Sequence, residues 1–518
     1  GLNERGKIRF VMARGEAGAT NMADAYARTT AGLGVTITST GTAAGNAAGA
    51  MVEALTAGTP MLHLTGQIET EYLDQDLGYI HEAPDQLTML GAISKAAYRV
   101  RSAATALSTV KAAVQAAMTA PTGPVSVEIP IDIQEARIPL PADFSPLPLA
   151  RAVPSAASLD ALAERLAKAR RPLLWLGGGA RHASAAVARL MDLGIGIVTT
   201  TQGRGIVPED DQRSLGAYTL HGPVEKFYQT CDAMLVVGSR LRGNETLKYK
   251  LKLPKPLYRI DADAAAEGRG YASEYFVQGD AELALAGLAE RLQGRMNVDP
   301  AFAADLRSAR KQAESALVDG LGPYATLVQS LQAAVGRNFN WVRDVTLSNS
   351  TWGNRHLHIF DPRAGVHALG GGIGQGLAMS IGAAVAAAET QPGRKTICLS
   401  GDGGFILNLG ELATAVQEKA DVVFVLMNDQ RYGVIRNIQD AHYGGRRCYT
   451  ELHTPDYAQL TASLGLGHVR IGDLREVPAA LDRALHAGGP FMVEIDMLAV
   501  GNFKTAFAGP PTKVAQPA

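Results

Sequence analysis

The chain has 518 residues, 47% of them apolar and 19% charged, which is the balance of a folded globular protein and excludes a disordered or fibrous one. A formal charge of -1 gives no long-range pull toward a polyanion, so no nucleic acid and no membrane surface is expected as a partner, and a small molecule is. Cys231, Cys398 and Cys448 are far apart and form no C-x-x-C pair, which predicts neither a zinc site nor a disulfide framework and suggests a reducing, cytoplasmic setting.

So long a chain exceeds one ordinary core, and three units are expected. From residue 8 to about 138, β-branched runs alternate with alanine-rich helical segments: strands at 34–38, 60–64 and 124–129, helices at 16–28 and 103–118. This pattern predicts a parallel sheet covered by helices. Residues 1–6 lead straight into a strand ahead of Glu16, with no earlier strand–helix unit, so the N-terminus reads as truncated. A proline-rich linker follows at 138–154. The second unit has strands at 173–176, 195–199, 234–237 and 257–260. A charged helical connector at 300–314 leads to the third, with strands at 344–347, 395–399, 422–427 and 491–495. The expected boundaries are 1–140, 155–295 and 320–518. The weakly polar stretch 376–388 is too short to cross a bilayer and reads as a buried helix.

The strongest local signal is Gly401-Asp402-Gly403-Gly404, after an apolar strand and before a helix expected from about residue 407. Glycines at a strand's carboxyl end let backbone N–H groups approach a phosphate, and an aspartate there can hold a magnesium ion. Alone, the tetrapeptide is equally a tight turn with an Asx bond. One strand–helix–strand crossover later comes Asn428-Asp429-Gln430-Arg431-Tyr432-Gly433, which sets Asp402 and Asp429 on neighbouring strand tips. Earlier in the unit, Gly370-Gly371-Gly372-Ile373-Gly374 carries an entropic cost that a turn or close ligand approach must justify.

With these motifs the chain resembles the thiamine-diphosphate enzymes of the acetolactate synthase, benzaldehyde lyase and 2-oxo acid decarboxylase superfamily. The resemblance spans essentially the whole chain. It implies an α/β fold of three domains in series (pyrimidine-binding, middle and diphosphate-binding), each a mainly parallel sheet flanked by helices. It also implies thiamine diphosphate and Mg2+ as cofactors, with Asp402 and Asp429 as side-chain metal ligands and the Arg431 carbonyl as a third. Gly401, Gly403, Gly404, Gly433 and Asn349 would lie near the diphosphate. Ile373 would wedge under the cofactor, and the Gly371 carbonyl would accept from its amino group. One departure is Asp429, where the family usually has asparagine.

In the first unit the resemblance assigns Glu16 to the glutamate that bonds the pyrimidine N1′ and activates the cofactor, followed by the altered turn Thr40–Asn46. His81 falls at or near the place of a pocket glutamine and would relay protons as a second catalytic residue. Tyr432 and Arg355 are further pocket candidates. Since relatives join these two halves across a subunit interface, a homodimer or homotetramer is implied. Gly177-Gly178-Gly179 reads as a packing turn of the middle unit, with FAD or another nucleotide left open there. The expected activity is C–C bond cleavage or formation (a lyase or carboligase) on a 2-oxo acid or 2-hydroxy ketone. An FAD-linked 2-oxo acid oxidase and a catalytically decayed cofactor-binding relative are the alternatives.

Overall fold

The computed structural model describes residues 2–139 and 141–509; residues 1, 140 and 510–518, which include both ends of the expected first unit and the end of the third, lie outside the described residues. Three sheets follow one another along the chain, and every strand pairing in them is parallel. The first holds β1 (Gly34–Thr38), β2 (Met61–Gln67), β3 (Ala96–Arg99) and β4 (Pro124–Pro130) in the order β1-β2-β4-β3. The second holds β5 (Pro172–Leu176), β6 (Gly196–Thr199), β7 (Ala233–Val237), β8 (Leu257–Asp261) and β9 (Tyr275–Gln278) in the order β6-β5-β7-β8-β9. The third holds β10 (Phe339–Arg343), β11 (Gly365–His367), β12 (Lys395–Gly401), β13 (Val422–Asn428), β14 (Gly467–Ile471) and β15 (Phe491–Asp496), ordered β11-β10-β12-β13-β15-β14.

Central strands such as β5, β7 and β13 are buried along their whole length, because helices cover both faces of a parallel sheet. Their continuous apolar runs are what made them visible in the sequence. In the third sheet the chain leaves β10 for β11 on one side and returns to β12 on the other. The crevice at the carboxyl ends of β10 and β12 is therefore the switch point where a ligand site is expected in such a sheet.

Three sequence expectations are corrected. The strand expected at 344–347 is β10, which ends at Arg343; Asp344 terminates it by accepting the Val345 N–H on its own side chain, at 2.7 Å. The strand expected before Glu16 does not form. Residues 8–13 pair with no sheet, and Val11 and Ala13 lie instead against the core of the third unit. The helix expected from about residue 407 begins at the motif itself as Asp402–Phe405, passes through a 3-10 turn, and resumes at Glu411–Gln417.

First and third units share a close seam. The Glu16–Thr30 helix packs on the Gly376–Thr390 helix, where a Cβ on Gly382 would stand 2.1 Å from the Met22 carbonyl oxygen. Beside it, buried Arg28 donates to Asp24, to Glu53 at 3.2 Å and to the His367 carbonyl at 2.7 Å. Among the described residues no helix is long and apolar enough to cross a membrane.

Candidate active site

The register Gly401↔Met427 sets Asp402 and Asp429 side by side just past the tips of β12 and β13. The Asp429 N–H donates to Asp402 Oδ1 at 3.4 Å, while Asp402 Oδ2 is buried and has no partner among the described residues. Burial raises both carboxyls above the ordinary aspartate range, and the negative charge of Asp402 raises Asp429 further. Two like charges held together out of water call for a cation. Among the described residues no cluster of three or more His, Cys, Asp or Glu side chains is arranged to hold one. The remaining ligands of an octahedral ion would then be backbone and cofactor oxygens. Arg431 fits that need: the antiparallel bridge Arg431↔Glu451 uses the backbone groups of Gln430, Tyr432, Thr450 and Leu452, which leaves the Arg431 carbonyl outside the ladder.

The glycines here are set by space. A Cβ on Gly433 would stand 2.6 Å from Asp429 Oδ2, and one on Gly404 would stand 2.8 Å from Asp344 Oδ2 and 3.1 Å from the Gly374 nitrogen. In the glycine run, Gly371 and Gly374 take φ of +85° and +88°, which lets the loop turn back and present Ile373.

Asp344 and Glu53 are buried carboxylates that the sequence reading missed. Asp344 accepts the Gly374 N–H on both oxygens at 3.0 Å and the Ser400 hydroxyl at 3.2 Å. It thereby ties the Ile373 loop to the end of β12, and burial pushes its own carboxyl up to about 6. Glu53, from the first unit, accepts the N–H groups of Leu369 at 2.6 Å and Gly370 at 2.5 Å. Asp344 fell at the start of the strand expected at 344–347, Glu53 in no expected element, and neither carried a motif.

One cavity of about 770 Å³ collects all ten positions expected in the third unit: Asn349, Gly371, Ile373, Gly401, Asp402, Gly403, Gly404, Asp429, Arg431 and Gly433. Tyr432 and Arg355 line it too, and the middle unit adds Thr219 and His221. Trp352 lies in the core, stacked on Trp341. Glu16 and His81 do not line this cavity. They lie elsewhere, near the carboxyl end of β1 in the first sheet. Glu16 Oε2 accepts from Asn46 at 3.2 Å, and the turn before Glu16 is held by Glu411, which accepts the Arg14 and Gly15 N–H groups at 3.0 Å. His81 is exposed with φ +64°, and its carbonyl presses on Gly41, where a Cβ would be 1.9 Å away. The expected site residues thus fall in two places, Glu16 and His81 in the first unit and the other ten around the cavity of the third.

The middle-unit glycines are a packing device: a Cβ on Gly177 would stand 2.2 Å from the Gly238 carbonyl oxygen. They also border a second cavity of about 410 Å³.

Three descriptions of thiamine pyrophosphate enzymes match in series: the N-terminal TPP binding domain at residues 1–89, the central domain at 159–288 and the C-terminal TPP binding domain at 346–495. The probable 2-ketoarginine decarboxylase of Pseudomonas aeruginosa is 30% identical over 497 residues, covering 94% of this chain and 87% of that protein. The chain belongs to the thiamine pyrophosphate enzymes. Other relatives of this thiamine pyrophosphate enzyme include the acetolactate synthase isozyme 2 large subunit of Escherichia coli, 28% identical over 502 residues with 95% and 89% covered. Acetolactate synthase 2, chloroplastic, of Zea mays is 27% identical over 506 residues with 93% and 78% covered. The protein is a thiamine-pyrophosphate-dependent enzyme of the decarboxylase or acyloin-forming type. Its unsatisfied Asp402 oxygen, its paired buried carboxylates and its crowded glycines fit a diphosphate bridged to magnesium.

Proposed function

We propose that the enzyme breaks or makes a C–C bond beside the carbonyl of a 2-oxo acid or 2-hydroxy ketone. Units 1–140, 155–295 and 320–518 would serve as the pyrimidine-binding, middle and diphosphate-binding domains. Thiamine diphosphate, when bound, supplies a carbon nucleophile for the substrate carbonyl and an electron sink for the pair released on cleavage. The observation that carries this reading is the buried carboxylate pair with its orphaned oxygen at adjacent strand tips. Asp402, Asp429 and the Arg431 carbonyl would hold Mg2+, Asn349 and the glycines at 401, 403, 404 and 433 would surround the diphosphate, and Ile373 and the Gly371 carbonyl would position the rings. Glu16 shares a proton at the pyrimidine N1′, and His81 exchanges protons with the substrate oxygen. Because those two lie outside the cavity, they are assigned to the cavity of a second copy, which makes a homodimer the minimum active unit. A cytoplasmic location goes with the three free cysteines.

Reconstitution with thiamine diphosphate and Mg2+, followed by assay of carbon dioxide and aldehyde release from a panel of 2-oxo acids and 2-hydroxy ketones, tests the reading. Wild type that retains no thiamine diphosphate in the presence of Mg2+ would sink it. Inert wild type that still holds the cofactor would favour the decayed relative instead. The second cavity, bordered by Gly178, Arg240, Asp261, Asp263 and Arg269 at the carboxyl ends of the middle sheet, supports a second reading with FAD. Yellow absorbance of the purified protein distinguishes it.

A further inference from the structure

The turn after β10 carries more polar groups than the cofactor reading uses. Asn349–Gly353 is a π-helical turn, a rare element that concentrates at functional sites. Its continuation sets Asn354 and Arg355 on the wall of the 770 Å³ cavity. Asn354 Oδ1 and Arg355 Nε are buried and have no hydrogen-bond partner among the described residues. Among the described residues Arg355 Nη1 makes two long contacts, 3.3 Å to the Ser350 carbonyl and 3.5 Å to the Thr351 carbonyl.

The other two cavity arginines are accounted for. Arg431 donates to the Asp429 carbonyl and lies 3.7 Å from its carboxylate, while Arg242 donates to the carbonyls of Thr56 and Leu369. Around Arg355 stand the Tyr218 phenol, which burial keeps neutral, and another cation, Arg204, and burial pushes the Arg355 guanidinium down from the usual value. Arg204 is itself paired with Glu209 at 2.6 Å. Facing it, His221 is pushed down to about 3, by burial first and by the Arg355 charge second, and so is neutral. A buried guanidinium without an acid is costly until an anion reaches it, and its planar fork matches a carboxylate.

We propose that Arg355 determines specificity by binding the carboxylate of the donor 2-oxo acid, with Asn354 Oδ1 accepting from a neighbouring hydroxyl or N–H of the same molecule. The enzyme therefore prefers anionic donors. This rests on the cavity being the thiamine diphosphate site, so the test reads carboxylate and cofactor binding separately. Calorimetric titrations of the wild-type, R355Q and R355K holoenzymes use oxamate, an unreactive carboxylate analogue of a 2-oxo acid, and its neutral counterpart oxamide. R355Q should weaken oxamate by roughly ten- to a hundredfold, as expected for lost hydrogen bonds to a charged group, with oxamide and thiamine diphosphate affinities unchanged. R355K should fall between, and KM for 2-oxo acids should rise more than kcat falls. Equal oxamate affinity in wild type and R355Q overturns the proposal. Loss of thiamine diphosphate binding in R355Q also overturns it, by placing the arginine in the cofactor site. Failure of the wild type to bind thiamine diphosphate would defeat the functional reading, and the oxamate–oxamide difference measured on the apoprotein would still decide the role of Arg355.

Discussion

Asp429 puts a second carboxylate where an amide oxygen would also serve a magnesium ion, and its cost is legible in the upward shift it shares with Asp402. D429N keeps an oxygen ligand and removes one of two like charges. It should stabilise the cofactor-free protein by about 1 kcal/mol, raising the thermal midpoint by roughly 2 °C, while weakening Mg2+ less than D402N does. D402N should lose Mg2+-dependent thiamine diphosphate binding by roughly a hundredfold, read by fluorescence titration. Equal effects of the two substitutions would mean that the carboxylates are not unequal partners in one metal site. G404A places a methyl 2.8 Å from Asp344 Oδ2, against backbone on the other side, so lost cofactor affinity with the fold retained is expected by circular dichroism and titration. At this scale the sequence was most readable where chemistry imposes both residue type and spacing, as with Asp402 and Asp429. Asp344 and Glu53 were not readable, because a carboxylate that binds backbone N–H groups across a fold has no local signature.

Among the elements, those read correctly were the central strands, whose continuous apolar runs come from being covered on both faces, the two edge strands β1 and β6, and alanine-rich helices. The four strands that were missed, β3, β9, β11 and β14, all lie at sheet edges. An edge strand is short and has one neighbour, so sequences such as AAYR or YFVQ need not be continuously apolar. Within the first sheet, His63 on β2 is fully buried between the hydroxyls of Thr38 and Ser126, at 2.8 and 3.1 Å. Burial lowers its pKa from 6.5 to about 4, so the folded state refuses a proton that the unfolded chain accepts. The resulting stability is present above about pH 6.5 and is lost as pH falls toward about 4, amounting to roughly 3 kcal/mol over that window. Urea unfolding at several pH values checks this: H63Q should show a shallower loss than wild type, and parallel curves would refute the assignment.

For the whole molecule, three parallel sheets in series were legible from the alternation of strand and helix patterns. That Glu16 and the Asp402–Asp429 pair fall in different units was legible as well; which further residues share the cavity, such as Thr219 and His221 of the middle unit, was not, because that depends on how the units pack. If Glu16 and His81 serve a neighbouring copy, two inactive variants should rescue one another. E16Q and D402N mixed after dissociation and reassembly should recover about a quarter of wild-type turnover, since half of randomly formed dimers would carry one intact site. No recovery in mixed dimers verified by mass would place both halves of each site within one chain.

The seam between the outer units has a further implication. Met22 and Gly382 meet backbone to backbone, and the Glu53 carboxylate closes on N–H groups more than three hundred positions away. Neither surface is finished without the other. A chimaera that imports only the first unit from a relative would inherit a mismatched lock, whereas exchanging both outer units together, with the middle one left in place, would preserve it.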